Sequence, residues 1–143
     1  MSLSFFVPGI PVSQGSKRAF VIQGKDGRHR PVLSESAANL KPWRAAIAYN
    51  ARRAMIDAKH SGWFHREPLC VRMRFLFLRP ASTPKIRLHV VRPDVSKLLR
   101  AAEDALTAVL YGDASQIVAA TVEKAYAGDL EGAGVEVTVG KVE

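Results

Sequence analysis

Cysteine is almost absent from this chain. Cys70 stands alone, inside the apolar run LCVRMRFLFL, so no internal disulfide can form and no thiolate zinc cluster can assemble within one chain. Its expected role is core packing. Long apolar runs are missing as well: nothing approaches the roughly 18 to 20 residues of a membrane span, and MSLSFFVPGIPVSQGSKRAF lacks a signal peptide's apolar stretch. The sequence therefore reads as a cytoplasmic protein with no membrane contact. Acid is scarce relative to base. Asp and Glu number 13 against 21 Lys and Arg, a formal net charge of +8, with a pI near 10.1. Such an imbalance points to a polyanionic partner, nucleic acid first among them. His29, His60, His65 and His89 show neither H-x-x-x-H nor H-E-x-x-H spacing, and GKDGRHR lacks the spacing of a P-loop, so neither a zinc hydrolase nor a nucleotide-binding loop is indicated. The four histidines read as surface residues.

What is present is enough for one domain spanning 1–143: the chain has 143 residues, 48% of them hydrophobic, which supports a single core. LSFFVP, residues 3–8, alternates as a strand and ends at Pro8 and Gly9. From Ile10 to Leu33 follows a glycine- and proline-containing basic loop with Lys17, Arg18, Lys25, Arg28 and Arg30. Phe20, Val21 and Ile22 within it predict a β-hairpin excursion carrying those bases.

Between Ser36 and His60 the alanine-rich sequence places Leu40, Trp43, Ile47, Ala51 and Ala54 at helical spacing. Pro42 suits its first turn and Ser36 or Asn39 its cap, while Arg44, Arg52, Arg53 and Lys59 decorate other positions, either as a solvated face or as contacts to a DNA backbone. Trp43 and Trp63 could stack on bases, but Trp43 fits the helix's apolar face. Residues 69–78 alternate Leu69, Val71, Met73, Phe75 and Phe77 with Cys70, Arg72, Arg74 and Leu76, which predicts a strand. The basic connector 79–93, with an extended piece in KIRLHVVRP, leads to a helix from Asp94 to about Val109. SQIVAATVEKAYA and VEVTV then predict two strands joined as a hairpin across GDLEGAG. The order gives an α+β (mixed α/β) fold with a small sheet and two main helices.

RPDVSKLLRAAEDALTAVLYGDASQ, residues 92–116, holds Asp94, Asp104 and Asp113 among Lys97 and Arg100. Convergent aspartates on a basic protein suit a metal-dependent nuclease, because Mg²⁺ takes hard oxygen ligands and bridges phosphate oxygens. Each also has an ordinary explanation: Asp94 as a helix N-cap, and Asp104 as an i,i+4 partner of Arg100.

RPDVSKLLRAAEDAL followed by VLYGDASQIV resembles the signature of the RusA family of Holliday-junction resolvases, R-P-D-x-D-[NK]-L-x-[KR], then D-A-L, then D-D-x-Q-[VI]. FFVPGIPVSQGSKRAF is similar to that family's opening. The resemblance implies a dimeric, Mg²⁺-dependent (or Mn²⁺-dependent) endonuclease that cuts four-way DNA junctions in recombination and repair, often encoded by phages or prophages. It implies that Asp94 and Asp113 are metal-binding and catalytic, that Arg100 is catalytic, and that Lys17, Arg18, Arg92, Lys97 and Arg100 contact DNA. Two positions depart from it: Ser96 replaces the second aspartate of D-x-D, and Ala114 the second of D-D. That leaves three accounts: a member that binds junctions without cutting, a member that recruits other carboxylates, or a deliberately altered chain. Glu103 and Asp104 lie too far along the helix from Asp94 to share its ion, about 15 Å for ten residues, whereas Glu123 stays open. The helix likewise carries the chain about 22 Å away before Asp113, so a shorter or bent helix, a returning loop, or the partner in a dimer must close the gap.

Overall fold

The computed structural model describes residues 2–15, 18–23, 27, 29–34, 39–60, 64–128 and 132–142, with 18–23 and 29–34 as backbone only. The elements are β1 (Ser2–Pro8), β2 (Arg18–Gln23), β3 (His29–Ser34), α1 (Leu40–Asp57), β4 (Leu69–Phe77), α2 (Val95–Leu106), a short 3₁₀ turn (Ala114–Gln116), β5 (Ile117–Tyr126) and β6 (Gly134–Lys141). Four strands form one sheet in the order β1-β6-β4-β5, and β2 pairs with β3 in a separate antiparallel ribbon. The architecture is α+β, as the pattern of elements predicts, and the basic excursion is indeed a two-stranded ribbon.

Period-two alternation explains the sheet. Leu69, Val71, Met73 and Phe75 of β4 are buried, as are Leu3 and Val7 of β1 and Val135, Val137 and Val139 of β6. These face one way and meet Leu40, Trp43, Ile47 and Ala51 of α1 and Leu98, Ala101, Ala102, Ala105 and Leu106 of α2 in one core. Trp43 is thus a core residue, while Trp63 lies outside the described residues. Gly9 turns the chain over Trp43 at φ 136°, where a Cβ would sit 3.2 Å from the indole. Among the described residues no helix is long and apolar enough to cross a membrane.

The predicted hairpin between the last two strands does not form. β5 pairs in parallel with β4, and β6 pairs antiparallel with β4's other edge. β4 carries the deepest apolar alternation and is sheathed on both sides, so the connection after β5 must step across two strand spacings, about 9.6 Å. Cys70 is exposed rather than buried, because it falls on the opposite phase of β4 from Val71 and Met73. His89 is buried rather than superficial, because the Phe77 and Tyr126 rings pack on either side of it. KIRLHVVRP forms turns and irregular backbone in place of an extended strand, and α2 stops at Leu106, where Thr107 becomes extended. α1 is shorter than its alanine-rich pattern: it begins after Asn39, which makes no side-chain cap, and Ser36 lies outside the described residues.

Candidate nucleic-acid interface and acidic site

Asp94 occupies the N-cap position of α2, but its carboxylate makes no capping hydrogen bond. It faces Lys97 instead, Oδ2 to Nζ 3.8 Å, with both side chains more than half exposed. The backbone just before it is fixed from β5: Lys124 Nζ donates to the carbonyls of Val91 (2.5 Å) and Pro93 (2.9 Å). The Asp94 turn therefore lies beside the C-terminal part of β5. The foot of the basic excursion is tied to the same helix, since the Gln14 N–H donates to the Lys97 carbonyl at 3.0 Å and Gln14 Nε2 donates to Asp104 at 2.5 Å. Asp104 thus bonds Gln14, and not Arg100 as the i,i+4 spacing predicts. Arg92, Lys97 and Arg100 are all exposed. Arg18 begins β2, so it lies within about 14 Å of the anchored Gln14 by chain length alone; its side chain and all of Lys17 lie outside the described residues.

Asp113 sits elsewhere. It caps the 3₁₀ turn, with its Oδ1 accepting the Ser115 N–H at 2.8 Å, and that bond holds its carboxyl below the usual carboxylate range. Gln116 completes the turn. Its Oε1 accepts the N–H groups of Gly112 and Asp113 at 2.8 and 3.0 Å, while Nε2 donates to the carbonyls of Phe64 and Glu67 at 3.2 and 3.1 Å. The S-Q of the motif is therefore structural, pinning the start of β5 to the segment before β4.

These placements keep the two aspartates apart within the chain. Asp113 precedes β5, whereas Asp94 lies beside Lys124, seven strand residues further on, about 23 Å at 3.3 Å per residue. α2 is shorter than expected, yet β5 runs on from the far end, so the gap is not closed by the loop. Glu123 is not recruited: it pairs with Arg74 at 3.3 Å, on the face of β5 opposite Lys124. Glu103 is half-buried, its carboxyl raised by burial and then by Asp104. Burial also pushes the Tyr111 phenol up, and its hydroxyl donates to the Glu103 carbonyl at 2.9 Å.

The model of the family described as Endodeoxyribonuclease RusA matches residues 8–140. The chain belongs to the RusA family. The match runs from the end of β1 to the last residues of β6, so it includes the basic ribbon, α2 and the Asp113 turn of this RusA chain. A search of the curated proteins returns no significant match.

Among the described residues, no three His, Cys, Asp or Glu side chains converge. Asp94 has the Lys97 ammonium beside it, Ser96 in the first turn of α2 is neutral, and Ala114 packs partly against the core. A divalent ion needs several oxygen ligands with net negative charge. The described residues of this RusA chain, by themselves, do not fit such an ion. Sequence reasoning missed Lys124, Gln14 and Gln116 as the residues that position the site. A lysine on the core-facing phase of β5 was the one legible signal for the first of them.

Proposed function

We propose that this chain is a RusA-type Holliday-junction endonuclease of DNA recombination and repair, one domain over 1–143, acting as a homodimer and weakened in cleavage by Ser96 and Ala114. The family match carries the reading. Four-way DNA is the substrate, bound by the basic ribbon with Lys17 and Arg18 and by Arg92, Lys97 and Arg100 beside the Asp94 turn. The net charge of +8 supports a phosphate-driven component of that binding.

The homodimer reading is supported by β5, which is an edge of the sheet. Val118–Thr121 of this strand are exposed, Val118 to 63%, and an edge strand without proline is a template for another strand. Antiparallel pairing with the same strand of a second copy across a twofold axis sets each strand's start against the other's end. The partner subunit's Asp113 then approaches Asp94, making each acidic site composite. Mg²⁺ or Mn²⁺ is the cofactor of this reading and belongs to the dimer, since the described residues of one chain do not fit it.

A second reading, a junction-binding protein with negligible cleavage, is favoured by the neutral Ser96 and Ala114. The test compares nicking and gel-shift binding of a labelled four-way junction, with Mg²⁺ or Mn²⁺, for the protein as sequenced and for Ser96→Asp with Ala114→Asp. Weak nicking that rises at least tenfold in the double variant, with equal binding, supports the endonuclease. Nicking by neither, with binding by both, supports the second reading. Binding by neither refutes both.

A further inference from the structure

Resting on the junction-binding reading, one cavity beside the Asp94 turn carries a finer assignment. A pocket of about 240 Å³ lies over the C-terminal ends of β4 and β5. Three rings wall it. Phe77, His89 and Tyr126 pack in that order, with centroids 4.6 and 4.8 Å apart and ring planes tilted by 39° and 43°, and the Arg79 guanidinium lies 4.6 Å over the Tyr126 ring. Ile10, Leu78 and Val91 are also in the lining and are exposed to 68%, 64% and 59%. His89 is only 8% exposed, and its Nδ1 has no hydrogen-bond partner among the described residues. The pocket shares Val91 with the turn that Lys124 fixes in front of Asp94.

We propose that this pocket receives one unstacked nucleobase from the DNA strand whose phosphates run along Arg92, Lys97 and Arg100. The volume falls below the ~300 Å³ at which drug-sized sites begin and suits a single planar ring system. Aromatic walls bind any base through its π-face, and a neighbouring guanidinium adds to the stack. A base offers a π-face to these rings and to the guanidinium, which an aliphatic side chain from another protein does not. Charge agrees: no acidic residue occurs between Glu67 and Asp94, while Arg79, Lys85, Arg87 and Arg92 do. The segment is complementary to a phosphate backbone and not to a second copy of itself. Branched DNA supplies the base, because pairs at a branch point have a stacking neighbour on fewer sides and cost least to open.

The test is equilibrium binding of a four-way junction and of the same junction carrying one abasic site, stepped through the nucleotides around the branch. Wild type is compared with Leu78→Trp, which plugs the pocket from its exposed rim without opening the core. In wild type one abasic position is expected to lower affinity about 5- to 150-fold, the size of a lost base–aromatic stack. Leu78→Trp is expected to show that loss on the intact junction and no further loss at that position. A flat abasic profile in wild type overturns the proposal, as does a Leu78→Trp variant that weakens every junction equally. It also fails if Leu78→Trp alters the sedimentation of the free protein and leaves the abasic profile intact, for then the pocket takes a protein side chain. Wild type that ignores four-way junctions altogether refutes the resolvase reading itself, whereas binding with a flat profile refutes only the pocket.

Discussion

Gln116→Met is expected to destabilise the protein by about 2 to 3 kcal/mol, since net hydrogen bonds contribute about 1 kcal/mol each and stranded partners cost more. The amide makes four bonds: two accepted from Gly112 and Asp113 at 2.8 and 3.0 Å, and two donated to Phe64 and Glu67 at 3.2 and 3.1 Å. Those to Gly112 and Asp113 are exposed, so water replaces much of them, and most of the loss comes from the part-buried carbonyls of Phe64 and Glu67. Methionine keeps the length and apolar stem, which isolates the amide's contribution from cavity formation. Urea denaturation followed by circular dichroism reads the change, and a thermal scan should show a fall in melting temperature of roughly 5 to 10 °C for a chain of this size. A shift under about 0.5 kcal/mol would refute the claim that Gln116 ties the Asp113 turn to the body of the protein.

Three further outcomes follow from named groups. His89 is held below the ordinary histidine range by burial and then by the Lys124 ammonium. The unfolded chain therefore binds the proton more readily, so the stability linked to His89 is complete above about pH 6.5 and falls as pH drops through the lowered folded value. His89→Phe should flatten urea stability between pH 7 and 5 relative to wild type, and an unchanged slope contradicts the burial argument. Arg100→Ala should weaken junction binding and reduce the slope of log affinity against log salt by about 1, the signature of one lost phosphate contact; a variant with wild-type slope places Arg100 off the DNA. Exposed Cys70 should react fully with a thiol reagent in the native state, where a core thiol would wait for unfolding.

The fold class was legible because β4, α1 and α2 each repeat their apolar residues at a period that only one element satisfies. Asn39 and Asp94 also stand at real boundaries. Pairing was less legible. Both β5 and β6 alternate well enough to form a hairpin, and nothing within either strand says that β4 prefers to lie between them; that follows from burying Val71, Met73 and Phe75 deepest. Cys70 was misread because an apolar neighbourhood in sequence says nothing about which side of a strand a residue occupies. His89 was missed for the complementary reason: its shelter comes from Phe77 and Tyr126, which are remote in the chain. At the acidic site the motif supplied Asp94 and Asp113, and helix length already warned of their separation. The elements that fix the two turns, Lys124 and Gln116, act through backbone carbonyls and N–H groups, which leave no pattern in a single sequence.

The composite acidic site is tested most directly by mixing subunits. In the Ser96→Asp, Ala114→Asp background, Asp94→Asn and Asp113→Asn proteins are prepared separately and then unfolded and refolded together. A site shared across a twofold axis leaves one intact pair in each mixed dimer, so junction nicking should return to about a quarter of the unmutated background, because half the dimers are mixed and each holds one good site of two. Each protein alone should stay silent. A mixture as silent as its components, with mixed dimers demonstrated and the unmutated background cutting, would mean that Asp94 and Asp113 work within one subunit, contrary to the separation across β5.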